Sequence, residues 1–150
     1  MKIDTNHSFK TDKTRLWNLL MDPAFIKRSM PGCEELRETE TDKYDAIMKV
    51  GVGTVKGTYQ AKIQIAEKSP TSSYKLDVEG SGSAGFVKGG ATIQLADQED
   101  GTVLMTLQGE AQVGGPIARV GQRLLDAASK FIVHEFFKQI EKEIRAAQEA

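Results

Sequence analysis

Apolar and polar residues alternate with a period of two over most of this chain. The alternation predicts one strand over residues 2–10 and six more between residues 34 and 113. Strands with this pattern form antiparallel sheets in which one face is buried and the other meets water. The pattern therefore predicts a curved, seven-stranded antiparallel sheet.

The spacing of apolar residues becomes helical in the last third of the chain. Pro116 suits a first helical position, where its missing N–H has no intrahelical partner to lose, and the pattern predicts one helix over residues 116–147. In its first half, an apolar stripe is predicted to face a core or a cavity. The stripe consists of Ile117, Val120, Leu124, Ala128 and Phe131, with Leu125 and Ile132 alongside. In the second half the stripe shifts and is predicted to pack elsewhere.

Two short helices are predicted between the first strand and the other six. Thr11 or Asp12 caps the first of them, while Asp22 and Pro23 end it and cap the second. A sheet with one apolar face needs a cover, and the last helix is the only predicted element long enough to provide it. The predicted fold class is α+β, with the sheet wrapped around the C-terminal helix in a single domain of residues 1–150.

Composition narrows the classes of function. The chain has 150 residues, a net charge of −1 and a pI of about 6.1, and it has no basic run, so nucleic-acid binding is not expected. The single cysteine, Cys33, cannot form an intrachain disulfide and fits a reducing compartment. No secretory signal and no membrane-spanning apolar run are apparent, which favours a cytoplasmic location.

The segment from Gly80 to Gly85 matches the pattern GxGxxG. In dinucleotide-binding proteins a helix begins directly after this motif and holds the pyrophosphate. Here the following residues predict a strand instead, so we interpret the segment as a turn at the mouth of a cavity. Phe86 is an odd number of positions from Ala91 and Ile93, so its side chain points to the opposite face of the strand. It is therefore predicted to be exposed near that entrance.

Few residues offer catalytic or metal-binding chemistry. His7 is predicted to be partly buried and satisfied, whereas His134 and Glu135 are predicted to face solvent. No cluster of ligands has the spacing of a metal site, and we expect neither a metal nor a cofactor. Acid–base chemistry at His7, a candidate acid at Glu135 if its face of the helix is buried, and a reactive Cys33 are the alternatives to these structural roles.

Small residues on both the sheet and the helix suggest an unfilled interior. Such a cavity would suit an apolar ligand, and a solid core is the alternative. The predicted lining consists of Trp17, Phe25, Met48, Val50, Tyr59, Ala61, Tyr74, Val78, Ala91, Met105, Leu107, Ala111, Leu124, Leu125, Ala128 and Ile132. Phe86, Val87 and Ile117 are predicted to form the entrance.

Four short motifs resemble those of a known family. They are Pro31–Cys33, Val55–Tyr59, Gly85–Gly89 and Val113–Gly115, the last of which is followed by Ile117–Gly121. In this order they are similar to the family of the carbon monoxide dehydrogenase G subunit, which has the START-like, helix-grip fold. The resemblance implies a non-catalytic accessory protein of a molybdenum hydroxylase complex. It also implies peripheral attachment to the inner face of the cytoplasmic membrane and a cavity for a quinone or lipid.

An enzyme is the alternative to a binding protein, because helix-grip relatives include cyclases and lyases. An enzyme needs polar groups that converge inside the fold. The polar residues at positions predicted to face inward are Tyr44, Tyr59, Tyr74 and His7, and no carboxylate is among them. The sequence therefore favours binding of an apolar molecule over catalysis.

Overall fold

A computed structural model describes residues 1–52 and 55–149 of the chain. Gly53, Thr54 and Ala150, which complete the predicted domain, lie outside the described residues. The strands form one antiparallel sheet in the order β1-β7-β6-β5-β4-β3-β2. They are β1 (Lys2–Phe9), β2 (Cys33–Glu40), β3 (Lys43–Val52), β4 (Val55–Ser69), β5 (Ser73–Gly82), β6 (Gly85–Asp97) and β7 (Val103–Gly114). The predicted fold class is confirmed.

Two short helices, α1 (Lys13–Leu20) and α2 (Pro23–Ser29), follow β1 as predicted. The Asp12 carboxylate accepts a hydrogen bond of 2.8 Å from the Arg15 amide, and the Asp22 carboxylate accepts one of 3.0 Å from Ala24. These bonds satisfy amides that have no partner within the first turn of each helix. Asp12, rather than Thr11, is therefore the first cap.

The long helix begins later than the sequence predicts. Pro116–Val120 forms a 3₁₀ turn, Gly121 adopts a positive φ of 96°, and α3 runs from Gln122 to Glu149. Gly121 allows this conformation because it has no Cβ. The prediction of one uninterrupted helix from residue 116 is wrong for this reason.

The break at Gly121 also changes which side of the helix is buried. Ile117 and Val120 do not belong to α3, so they do not set its rotation. The prediction of an inward stripe that contains Leu124, Phe131 and Ile132 is wrong, because these side chains are 44%, 56% and 45% exposed. The buried side is a single continuous stripe of Leu125, Ser129, Phe137, Ile140 and Ile144, with Val133 and Phe136 partly buried between them.

α3 lies along β1 in a defined register. The Ser129 hydroxyl contacts the Met1 sulfur at 3.1 Å, His7 contacts Glu141, and the Gln148 amide donates to the Lys10 carbonyl at 2.9 Å. The second half of α3 also contacts α2, through an ion pair of 2.9 Å between Arg28 and Glu143. The first half of the helix therefore lies near the start of β1 and the second half near its end.

The interior is divided into two apolar clusters. The main core packs the second half of α3 and the two short helices against the sheet, and its fully buried side chains include Phe9, Phe25, Ile93, Met105 and Ile140. The second cluster is smaller and has three buried members, Tyr59, Ala84 and Ile117. It lies beside the first half of α3, because Ala128 packs against it.

Candidate functional site

The inner face of the sheet carries a surface of very small residues beside the first half of α3. In the strand register Ala61 lies opposite Gly80, Gly89 opposite Ala111, and Ala91 opposite Gly109. We call this set the small-residue patch, and it consists of Ala61, Gly80, Gly89, Ala91, Gly109 and Ala111. Because the side chains of these residues are absent or consist of one methyl group, the sheet surface here is flat and formed largely by backbone atoms.

Most residues of the small-residue patch are not fully buried. Of the small-residue patch only Ala61 is buried, and its other members are partly exposed, as are the neighbouring Val78 and Val87. Farther along the same face, Tyr74, Ile93 and Met105 are at most 4% exposed. Residues of the inner face are therefore less completely buried beside the first half of α3 than beside the second half.

Tyr59 stands at the edge of this open region. Its side chain is 5% exposed, and its hydroxyl has no hydrogen-bond partner among the described residues. Burial raises the pKa of this phenol above its usual value. Tyr59 shares the second cluster with Ala84 and Ile117. The side chains that pack against this cluster are only partly buried, and they are Met48, Val50, Val113, Val120 and Ala128.

Glycines lie on both flanks of the Tyr59 ring. A Cβ placed on Gly80 would lie 3.9 Å from the ring, and one placed on Gly57 would lie 3.5 Å from it. The Gly57 side is closed by the Ala84 methyl group, which would lie 3.0 Å from such a Cβ, whereas a Cβ on Gly80 would make only ordinary van der Waals contacts. The Gly80 side of the ring therefore has room for another group.

The residues predicted to line a cavity separate into two groups. Trp17, Phe25, Tyr74, Met105 and Leu107 belong to the main core, where Trp17 meets Tyr74 edge-on at 5.6 Å. Ala61 is also buried in the main core, and Val78 and Ala91 pack against that core. Tyr59 is buried in the second cluster, with Val50 and Ala128 packed against it, and Met48 packs against both clusters. Ala111 lies opposite Gly89 in the small-residue patch. Leu125 is buried on the same side of α3.

Leu124 and Ile132 do not belong to the predicted lining. The rotation of α3 that follows from its start at Gln122 turns both side chains outward. The structure places Ser129 on the inward side instead. Its buried hydroxyl donates to the Leu125 carbonyl at 2.9 Å. A serine gives no apolar signal, so the spacing pattern did not identify it.

The three predicted entrance residues lie on two faces of the sheet. Phe86 is 50% exposed, as its parity predicts, but its ring covers Gly114 on the outer face. There it borders a surface hollow of about 810 Å³ that also includes Arg37, Asp45 and Lys88. Val87 borders the same hollow and is partly buried, whereas Ile117 is buried in the second cluster.

The glycine-rich segment forms a β-hairpin. β5 ends at Gly82 and β6 begins at Gly85, so a strand follows the motif, as predicted. A Cβ on Gly82 would collide with the Thr58 carbonyl, and one on Gly85 would collide with that of Gly114. These two glycines are therefore explained by close backbone contacts, and the helix that the dinucleotide mechanism requires does not follow them.

The titratable residues singled out by the sequence have structural surroundings. His7 is partly buried and satisfied, as predicted, and His134 is exposed. Cys33 is partly buried, and burial raises the pKa of its thiol. Across residues 1–52 and 55–149, no three His, Cys, Asp or Glu side chains come together in a way that could hold a metal ion.

Comparison with known proteins identifies the family that this chain matches. The family model of the carbon monoxide dehydrogenase G subunit (CoxG) matches residues 7–145. A crystal structure of a conserved protein from Geobacillus kaustophilus is 35% identical in sequence, with a TM-score of 0.93, and the alignment covers 98% of this chain and 97% of that one. No curated protein gives a significant match.

More distant structures share the fold alone. A START superfamily protein from Mycobacterium smegmatis has a TM-score of 0.72 at 8% identity, over 97% of this chain and 98% of its own. A protein from Thermus thermophilus has a TM-score of 0.71 at 12% identity, over 98% and 99%. None of the helices formed by the described residues is long and apolar enough to cross a membrane.

Proposed function

The chain belongs to the family of the carbon monoxide dehydrogenase G subunit and has a START-like fold, and from this premise we propose that it is a non-catalytic accessory protein that binds an apolar molecule. The ligand class that we propose is a quinone or a lipid. Its site is the space between the small-residue patch and the first half of α3. The partner that we propose, from the description of the family, is a carbon monoxide dehydrogenase of the molybdenum hydroxylase class.

The observation that carries this proposal is the incomplete cover over the small-residue patch. Exposed apolar surface of this kind is costly unless something else covers it. The surrounding residues are aliphatic, aromatic or sulfur-containing, and such linings are typical of sites for apolar molecules. An apolar ligand held there would complete the packing that the protein alone leaves open.

The polar groups near this site favour binding over catalysis. Catalytic sites bring an acid or base within hydrogen-bond reach of a reacting group. The Tyr59 hydroxyl has no acid or base beside it among the described residues. His7 contacts Glu141 in the second half of α3, where the main core seals the sheet. The site therefore provides a surface for an apolar molecule and one hydroxyl.

The outward side of α3 supports a peripheral contact with a membrane. Leu124 and, about two turns farther along the helix, the adjacent Phe131 and Ile132 are exposed apolar side chains. We define these three residues as the outer apolar face. Arg123 and Lys130 flank it and are exposed. An apolar stripe beside basic residues suits the surface of an anionic bilayer.

Ligand uptake by the purified protein tests the main proposal. Native mass spectrometry should detect a co-purified apolar molecule, and equilibrium dialysis should show uptake of a short-chain quinone analogue. Ala128→Trp should abolish uptake because the indole would fill the space beside Tyr59. Ala146→Trp, at an exposed position of the same helix, is the matched control and should leave uptake unchanged. A wild-type protein that neither carries nor takes up an apolar molecule would contradict the proposal.

A further inference from the structure

The Tyr59 hydroxyl is the one side-chain polar atom that is fully buried without a hydrogen-bond partner in the part of the chain that the structure describes. Leaving such a group unpaired costs about 1–3 kcal/mol, and native proteins rarely leave one without a reason. This hydroxyl belongs to the second cluster, against which Ala128 of α3 packs.

The surroundings of this hydroxyl fit a ligand. Gly80 leaves room beside the ring, and the partly exposed Met48 and Val50 of β3 pack against the same cluster. From the helix side the contact is Ala128, which is also small and partly buried. An apolar molecule that entered over the small-residue patch would thus meet one polar atom, at the Tyr59 ring.

The charge of the surroundings limits what that ligand atom can be. The side chains of the second cluster are apolar apart from the Tyr59 hydroxyl, and burial alone raises the pKa of Tyr59, with no contribution from a nearby charge. A carboxylate brought to this position would lose its hydration without meeting a cation, which is strongly unfavourable. An uncharged oxygen acceptor would lose little hydration and would gain the hydrogen bond that the phenol can donate.

We propose that Tyr59 determines ligand specificity by donating its hydroxyl hydrogen to an uncharged carbonyl oxygen on an apolar molecule. The site would then select esters, ketones and quinones over fatty-acid carboxylates of the same length. This inference rests on the proposed function, because it requires that an apolar molecule occupies the site. It adds to that function the chemical class of the group that the protein recognises.

A matched pair of fluorescent ligands tests the inference. cis-Parinaric acid and its methyl ester share one polyene chain and differ in the charge of the terminal group at pH 8. The wild-type protein should bind the ester more tightly than the ionised acid. Tyr59→Phe removes only the hydroxyl and should weaken binding of the ester by about fivefold, the size expected for one neutral hydrogen bond. Tyr74→Phe, in the main core, should leave ester binding unchanged.

The infrared carbonyl stretch of the bound ester gives a second measurement. A hydrogen bond from Tyr59 should move this band to lower frequency in the wild-type protein, and the shift should disappear in Tyr59→Phe. Equal binding of acid and ester, with no effect of Tyr59→Phe on affinity or on the band, would overturn the inference while the proposed function stands. If the wild-type protein binds neither ligand and no quinone analogue, both fail.

Discussion

The imidazole Nε2 of His7 lies 3.2 Å from the Glu141 carboxylate, and this contact joins the first strand to the last helix. The same imidazole ring stacks on Phe137 at 5.4 Å and lies 4.7 Å from Phe9. Because both aromatic neighbours belong to the main core, the histidine is held chiefly by packing. The contact fixes the register of α3 along β1, and with it the position of the first half of the helix over the small-residue patch.

Substitutions at this contact should separate packing from polar interaction. His7→Ala should lower the free energy of unfolding by about 1–2 kcal/mol, because it removes both the aromatic contacts and the hydrogen bond. Glu141→Gln should cost under about 1 kcal/mol, since it keeps a polar group at a partly exposed site. Urea unfolding monitored by circular dichroism measures both changes. His134→Ala, on the exposed side of α3, is the control, and a larger loss in Glu141→Gln than in His7→Ala would contradict this explanation.

The glycine-rich hairpin should respond differently at two of its positions. Gly85→Ala should destabilise the protein by about 1–3 kcal/mol, because Gly85 has a φ of 123° and a Cβ there would meet the Gly114 carbonyl. Gly80→Ala should be neutral or should stabilise by up to about 1 kcal/mol, since its Cβ would make only ordinary contacts with Tyr59 and Ala61. Thermal melting of the two variants checks this order, which equal losses would refute.

The sequence predicted the fold well where local rules decide it. The strands follow from the period of two, because a strand with one buried face must alternate. The caps at Asp12 and Asp22 follow from the need to satisfy the first amides of a helix. Both kinds of signal depend on residues that are neighbours in the chain. The order of elements and the fold class were therefore predictable before any tertiary contact was known.

The candidate site was less predictable because it depends on contacts between distant segments. A single glycine, Gly121, separates the 3₁₀ turn from α3 and so changes the side on which Leu124 lies. Apolar spacing alone cannot register such a break, because both segments continue to show apolar residues. The unpaired hydroxyl of Tyr59 depends on side chains from β3, β4 and α3 together. The alternation along β4 predicted that Tyr59 faces inward. It could not predict that the Tyr59 hydroxyl lacks a hydrogen-bond partner among the described residues.

The buried tyrosines should make stability depend on alkaline pH. Burial, with a further contribution from the nearby Glu38 carboxylate, raises the pKa of Tyr44 to about 12. Burial also raises the pKa of Tyr59 and of Tyr74. A tyrosine whose pKa is higher in the folded than in the unfolded protein stabilises the fold. This contribution to the free energy of unfolding is fully present at pH values below the unfolded pKa of about 10. That contribution is lost as the pH rises through the folded value.

Unfolding free energy should therefore be insensitive to these groups up to about pH 10 and should fall between pH 10 and pH 12. Denaturant titrations across this range measure the decline. Tyr44→Phe should make it shallower, because phenylalanine cannot ionise. Absorbance of the phenolate gives an independent check, since its appearance should lag behind that of a free tyrosine. Titration of all three tyrosines near pH 10 in the folded protein would show that the explanation is incorrect.

The outer apolar face on α3 should bind anionic bilayers. Phe131 is 56% exposed and belongs to the same face as Leu124 and Ile132. Phe131→Glu should reduce co-sedimentation with vesicles that contain phosphatidylglycerol by roughly tenfold, because it removes a large apolar contact and adds repulsion from the lipid phosphates. The free energy of unfolding should change by less than about 0.5 kcal/mol, as is usual for exposed positions.

The contribution of charge to this contact can be measured separately. Lys130→Glu should weaken binding to anionic vesicles and should have little effect on neutral phosphatidylcholine vesicles, because basic residues act through the surface potential. Binding of the wild-type protein should also decrease as salt is raised, since exposed charges are screened within about 10 Å at 0.1 M.

Phe86→Glu is the matched control, because that aromatic ring is equally accessible but lies on the outer face of the sheet. If Phe86→Glu reduces vesicle binding as strongly as Phe131→Glu, the helix is not the contacting surface. If the wild-type protein sediments with no vesicle, the peripheral contact is refuted, while ligand uptake over the small-residue patch remains a separate question with its own test.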